Sequence, residues 1–288
     1  MRKKILKGIR RVVVKIGTSV LTRGGCFNRA AVRKLARDLA KLLDRGVQVY
    51  VVSSGAIGAG MSTMGLERRP KRMQELQAAA AVGQRCLMEC YERAFRKTGR
   101  STAQVLLTWD DLARTKGYLN AKRTLEQIRA WGLVPVINEN DTVATDEIRF
   151  GDNDRLSSLL AILVEADLLV ILSDTDGLYV RHQGIGGPSV RAGKRIPIVE
   201  KIETAFSHVV DSHNAFTVGG MRSKLKAVQM SVHAGIPVLL ADGRQPRILE
   251  RLFGGDDLGT LFVPKKARGA WLRHFLKHIR SGPVSYGR

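Results

Sequence analysis

Five short apolar runs rich in β-branched residues punctuate the chain, at Val12 to Ile16, Val47 to Val52, Val134 to Ile137, Leu168 to Leu172 and Pro237 to Leu240. Runs of this length bounded by turn residues read as buried strands. Between them lie helical patterns, Asn28 to Asp44, Met73 to Arg96, Gly117 to Trp131, Asn153 to Glu165 and Met221 to Ala234. Each is long enough to carry the chain back across a sheet, which parallel neighbours require and hairpins do not. The alternation predicts an α/β chain built on a mostly parallel sheet. At 288 residues it fits a single large unit with two lobes, the change of lobe falling near 165–167. No internal repeat or low-complexity block interrupts it. Arg181 to Lys194, Gly-rich and basic, reads as a surface loop or hairpin, and Lys265 to Arg288 as a basic tail with a weak helical pattern.

One loop concentrates polar groups. Ile137-Asn138-Glu139-Asn140-Asp141 ends an apolar strand, and Gly151-Asp152-Asn153-Asp154 opens the helical pattern that follows. In open α/β sheets, ligands sit outside the carboxyl ends of the strands, where loops vary without disturbing the core. One helix cap needs one Asp or Asn. The number of carboxylates and amides here exceeds that need and predicts a site for a polar ligand.

Composition bounds the remaining possibilities. Hydrophobic residues make up 44% and charged residues 26% of the chain, ordinary values for a folded globular protein. The basic start lacks a secretory apolar segment, and no apolar run is long enough to span a bilayer, so a cytoplasmic location is expected. The net charge of +22 is concentrated at the ends: residues 1–11 hold six Lys or Arg and residues 265–288 hold seven, with no acid in either. Such ends attract nucleic acid through counterion release, but charge runs are more often solvated faces, and nucleic acid is not the expected partner. Cys26, Cys86 and Cys90 form no Cys-x-x-Cys pair and read as reduced thiols. His274 and His278 have ligand-like spacing but no carboxylate nearby, so no metal ligand is assigned.

Three glycine-bearing turns follow strands or open helices: Lys15-Ile16-Gly17-Thr18-Ser19, Ser53-Ser54-Gly55-Ala56-Ile57-Gly58 and Val218-Gly219-Gly220-Met221-Arg222-Ser223-Lys224. Glycine lets a ligand approach the backbone, and free N–H groups at a helix start attract anions, so phosphate is the natural guest. Neither a Walker A loop nor a Gly-x-Gly-x-x-Gly dinucleotide fingerprint is present. Lys15 places a charge inside an apolar strand, which is costly without a counter-ion or ligand. Lys224, near the start of a later helix, is within reach of the same cleft.

Taken in order, Val13-Val14-Lys15-Ile16-Gly17-Thr18-Ser19, Ser53-Ser54-Gly55-Ala56, Ile137 to Asp141, Gly151 to Asp154, Ser173-Asp174 and Gly219 to Lys224 resemble the glutamate 5-kinase family, from about Arg11 to Pro264. That resemblance implies the amino acid kinase fold, a three-layer αβα sandwich around a mostly parallel open sheet. It places a kinase domain at 1–264, with a glutamate-binding lobe at about 11–165 and a nucleotide-binding lobe at about 166–264, before the tail at 265–288. It implies phosphorylation of the glutamate side-chain carboxylate by ATP with Mg²⁺, the first step of proline biosynthesis. By position, Ser54, Asp141 and Asn153 match the glutamate contacts, Lys15 and Lys224 the lysines on the transferring phosphoryl group, and Asp154 the carboxylate that orients them. Ser173, Asp174 and Val218, Gly219, Gly220, Met221, Arg222, Ser223 and Lys224 match the nucleotide site, together with Lys15. The resemblance also implies a homo-oligomer, dimer or tetramer, feedback inhibition by proline, and handover of the product to glutamyl phosphate reductase.

The chain departs from the family pattern in places. Thr217-Val218 stands where Gly-Thr is common before Gly-Gly-Met, Ser173 where Thr is common, and Arg222 adds a charge. Many relatives continue into a PUA domain, and this chain resembles a short form without it. Acetylglutamate kinase and aspartokinase share the lysines but not the Asn-Glu-Asn-Asp loop. A silent ATP- or RNA-binding regulator has no need of Lys15, Asp154 and Lys224 together.

Overall fold

The structure, a computed structural model, describes residues 1–24, 26–144, 153–180, 193–206 and 220–264. Its frame is an eight-stranded sheet centred on Arg11–Ile16, which pairs in parallel with Gln48–Ser53 on one side and Leu168–Ser173 on the other. Beyond Gln48–Ser53 come Val134–Glu139 and then the edge strand Thr102–Leu107. Beyond Leu168–Ser173 come Val238–Asp242, Thr260–Phe262 and Ile198–Val199. Within this sheet the described pair Val238–Asp242 and Thr260–Phe262 is antiparallel, and the other neighbours are parallel.

Side-chain parity builds the three layers. Val12, Val14 and Ile16 pack on one face with Val49, Val51, Leu168, Val170 and Leu172, beneath the helices Arg29–Asp44, Met73–Arg96 and Ile248–Gly254. Val13, Tyr50, Val52, Leu169 and Ile171 face the opposite way, toward Thr115–Ala130, Asn153–Leu163 and Met221–His233. Both faces of the central strands are covered, so their residues are nearly all apolar, as buried parallel strands must be. The observed layers agree with the expected three-layer αβα arrangement.

The five predicted strands and five predicted helices are present, with ends shifted by at most two residues. Asn28 caps the helix Arg29–Asp44 by accepting from the N–H groups of Ala30 and Ala31. Two elements near the acidic loop had no sequence signal. Thr102–Leu107 is an edge strand whose side chains are mostly half-exposed on both faces, so it shows neither an unbroken apolar run nor a clean alternation. The helix Ala56–Met64 contains Gly58 and Gly60, which disfavour helix in isolation. Tertiary packing requires them. A Cβ on Gly60 would lie 1.8 Å from the carbonyl oxygen of Ala79, and one on Gly83 would lie 1.9 Å from that of Ala56. The two helix backbones therefore touch, which holds the Ser53-Ser54-Gly55 turn against Met73–Arg96.

Cys86 and Cys90 are half-buried on one helix and Cys26 is exposed, all three as free thiols. Among the described residues no helix is long and apolar enough to cross a membrane. The segment 181–192, residues 145–152 and the tail 265–288, with His274 and His278, lie outside the described residues.

Candidate active site

Parity decides where Lys15 points. It shares the strand face of Val13, toward Asn153–Leu163 and Met221–His233, the helices that carry Asp154 and Lys224. Lys15 Nζ meets Asp154 Oδ1 at 2.5 Å, and Lys224 Nζ lies 3.6 Å from Asp154 Oδ2. All three are buried, with Asp154 1% exposed. Ser223 Oγ donates to Asp154 Oδ2 at 3.4 Å. Burial pushes Lys15 below the usual lysine value, while Asp154 pulls the other way. Burial also acts to raise Asp154, but Lys15 and Lys224 outweigh it and hold the carboxyl below its ordinary value. The result is a carboxylate clamped between two cations at the carboxyl ends of the central strands.

Beside this cluster runs a chain of amides. Asn153 Nδ2 donates to Ser54 Oγ at 3.1 Å and to Asn138 Oδ1 at 3.0 Å. Asn138 Nδ2 donates to Gln84 Oε1 at 2.9 Å. Ser54 is placed by Gly55, whose φ of +104° turns the chain from Gln48–Ser53 into Ala56–Met64. Asn138 sits near the end of Val134–Glu139, and its 1% exposure leaves it no role in solvent.

The residues that the resemblance matches to a nucleotide site lie on the Leu168–Ser173 side of the central strand and at the start of Met221–His233. Ser173 ends Leu168–Ser173, and its Oγ donates to Asp174 Oδ1 at 3.0 Å. Gly220 precedes the helix Met221–His233 without a side-chain cap, and its carbonyl accepts from the N–H groups of Ser223 and Lys224, so the positive end of the helix dipole faces the cluster. Ser223 and Lys224 occupy that turn, Met221 is half-buried and Arg222 is exposed. A Cβ on Gly17 would sit 3.1 Å from the Leu172 carbonyl oxygen and 3.7 Å from Lys15 Nζ, so any larger residue would fill the space over the lysine. These features fit a polyphosphate. Val218 and Gly219, like Gly151 and Asp152, lie outside the described residues.

A cleft of ≈ 660 Å³ opens between the helix Met73–Arg96 and the edge strand Thr102–Leu107, with Gln84, Gln104, Glu139, Asn140 and Asp141 in its walls. Lys15, Asp154 and Lys224 are not among its lining residues, and the acidic-loop residues Glu139, Asn140, Asp141 and Thr142 are. Burial raises the Asp141 carboxyl to about 6, against the opposing charge of Arg69. Neither Arg69 nor Gln84 was found from the sequence. Gln84 had a signal: it interrupts the inward stripe Leu76, Ala80, Leu87, Tyr91 of its helix with a polar side chain. Arg69, in an irregular segment, had none.

Two lysines converge on a buried carboxylate beside a helix start at the carboxyl ends of a parallel sheet, an arrangement of an α/β fold that suits an anionic ligand. The chain belongs to the amino acid kinase family, whose model matches residues 10–242, and within it to the glutamate 5-kinases. It is 46% identical over 276 residues to a glutamate 5-kinase of Carboxydothermus hydrogenoformans, covering 95% of this chain and 73% of that one. To a glutamate 5-kinase of Geobacter metallireducens it is 44% identical over 283 residues, 96% of this chain and 75% of the other. Among solved structures, UMP kinase from Bacillus anthracis superposes with a TM-score of 0.56 at 15% identity, covering 90% of this chain and 97% of that one, a likeness of fold.

Proposed function

We infer that this chain transfers the γ-phosphoryl group of ATP to the side-chain carboxylate of L-glutamate, giving L-glutamyl 5-phosphate and ADP. The observation that carries this reading is Asp154, held by Lys15 at 2.5 Å and facing Lys224 at 3.6 Å, one residue from Asn153 on Ser54. The acceptor carboxylate has a reference pKa of about 4.3 and is already ionised near neutrality, so attack needs no general base. What remains is positioning and charge neutralisation. Lys15 and Lys224 reach the transferring group from a strand and a helix, and Asp154 fixes both ammonium groups. Ser54, Asn153 and Asp141 hold the acceptor. Ser173, Asp174 and the stretch Val218 to Lys224 hold the nucleotide.

Among the described residues no group of three or more His, Cys, Asp or Glu side chains could hold a metal ion. Mg²⁺, which sheds its water reluctantly, would be carried largely on the nucleotide phosphates and water. Bound there, it would supply charge neutralisation on the phosphates beside Lys15 and Lys224. The same proposal includes a two-lobed division near 165–167, a homo-oligomer, a cytoplasmic location, competition by proline at the acceptor residues and delivery of the acyl phosphate to glutamyl phosphate reductase.

The test is ADP release with ATP and Mg²⁺, offering L-glutamate, N-acetylglutamate or L-aspartate, with hydroxylamine trapping the acyl phosphate. Hydroxamate is expected from L-glutamate alone. Preference for another acceptor would keep the fold and reassign Asp141 and Asn153.

The Asp141 carboxyl adds a pH prediction. It must be ionised to attract the substrate ammonium, so kcat/KM for glutamate should fall about tenfold per pH unit below about 6. Asp141→Asn should raise the glutamate KM and remove this acid limb; a limb that survives the substitution belongs to another group. For stability the sign is opposite. The folded state binds this proton more tightly than the unfolded one, so the contribution favours the fold at low pH and is lost as pH rises from 3.8 through about 6.

A further inference from the structure

The polarity of the amide chain ending at Gln84 is set at one point. The backbone N–H of Glu139 can only donate, and it meets Asn138 at 2.9 Å, so the atom it meets is Oδ1. The other terminal atom of Asn138 is then Nδ2, a donor, and its partner on Gln84 at 2.9 Å must be Oε1. That leaves Gln84 Nε2 on the far side. It is buried and makes no hydrogen bond among the described residues. The other branch ends in the complementary way: Asn153 spends Nδ2 on Ser54 and Asn138, and its Oδ1 is buried with no partner among the described residues. A buried amide group without a partner is costly, and native proteins keep one where a ligand completes it. Gln84 also shares the wall of the cleft with Asp141.

We propose that Gln84 is a substrate-binding and specificity residue, its Nε2 donating to the α-carboxylate of the acceptor amino acid. This rests on the acceptor being glutamate. Strand order assigns which end of the substrate Gln84 meets. Lys15 lies on the central strand, Ser54 follows the next, and Asn138 ends the one after. With strands about 4.8 Å apart, Asn138 stands roughly 10 Å from the strand of Lys15. The reacting γ-carboxylate belongs at the lysine end, so the α-carbon end lies toward Asn138 and Gln84. There the ammonium finds acceptors in Asn153 Oδ1 and Asp141, and a carboxylate oxygen is the group that an amide donor completes.

Gln84→Glu tests this, because it keeps size and the acceptor for Asn138 Nδ2 while replacing the free donor with a carboxylate oxygen. The probes are L-glutamate and L-isoglutamine, which has the same γ-carboxylate but an α-carboxamide, each measured by hydroxamate kinetics and by calorimetric binding. For glutamate, KM and Kd are expected to rise about 30-fold or more, with kcat within about threefold and the ATP KM unchanged. The preference of the wild type for glutamate over isoglutamine should collapse or reverse, since a carboxamide can donate to the new carboxylate. An equal loss for both acceptors, or none, overturns the proposal, because a merely structural role cannot tell them apart. If Gln84→Glu does not fold, Gln84→Met has similar length and no donor; retained selectivity in it overturns the proposal and lost selectivity supports it. A wild type that neither turns over nor binds glutamate overturns the acceptor assignment and this inference with it, whereas normal wild-type turnover with unchanged selectivity in the variants overturns Gln84 alone.

Discussion

Replacing Lys15 by Met is expected to lower kcat about 10³-fold and to cost about 3 kcal/mol of stability, two losses with one electrostatic origin. Groups aimed at charge that develops in a transition state are worth about 10² to 10³ each, and Lys15 is a full charge in a water-poor site. Its removal also strands Asp154, which is 1% exposed and is left with Lys224 at 3.6 Å. Breaking a buried pair by deleting one partner costs about 3–5 kcal/mol, because the remaining charge stays desolvated. The double variant Lys15→Met/Asp154→Leu should recover most of that stability and none of the activity. Steady-state kinetics and denaturant unfolding on the three proteins separate the effects. Unchanged kcat in Lys15→Met would remove this lysine from the chemistry, and failure of the double variant to regain stability would show that the pair is not the source of the cost.

The second large effect concerns packing. Gly83→Ala puts a Cβ 1.9 Å from the Ala56 carbonyl oxygen and 2.2 Å from the Gly60 nitrogen, where real contacts stay beyond about 3.0 Å. Neither obstacle is a side chain that can rotate away. The helices Ala56–Met64 and Met73–Arg96 must separate, at a cost at or above the usual overpacking range, about 3 kcal/mol. Because the first of them begins at the Ser54-Gly55 turn and the second carries Gln84, the glutamate KM should rise while the ATP KM changes little. Gly8→Ala is the control: nothing lies within 4 Å of its Cβ position, and a change below about 0.5 kcal/mol is expected. Equal unfolding midpoints for the two variants would contradict the contact between helix backbones.

The contrast between Val12–Val14 and Thr102–Leu107 shows why some elements were readable. A strand covered on both faces must be apolar at every position, and that pattern survives in one dimension. An edge strand is constrained on one side only, and its mixed side chains leave no period to detect. Ala56–Met64 failed for another reason: its glycines argue against a helix locally, and the benefit lies in a partner helix some twenty residues further along the chain. Lys15 was conspicuous as a charge in an apolar strand, and Asp154 as one acid among several, yet nothing local pairs them. Gln84 showed in the sequence only as a polar residue in the inward stripe of its helix, and its contact with Asn138 gives it a partner there.

The sequence by itself determined the α/β class, the five apolar strands, the main crossover helices and the family, because these depend on which residues must avoid water and on a run of short motifs in order. Tertiary structure decided the strand order, the contact between the two glycine-bearing helices, the meeting of Lys15 with Asp154 and the direction of the amide chain from Asn153 to Gln84. The reason is physical: burial is a property each residue carries along the chain, whereas a hydrogen bond or an ion pair exists only once the fold has set the distance and orientation between groups far apart in it.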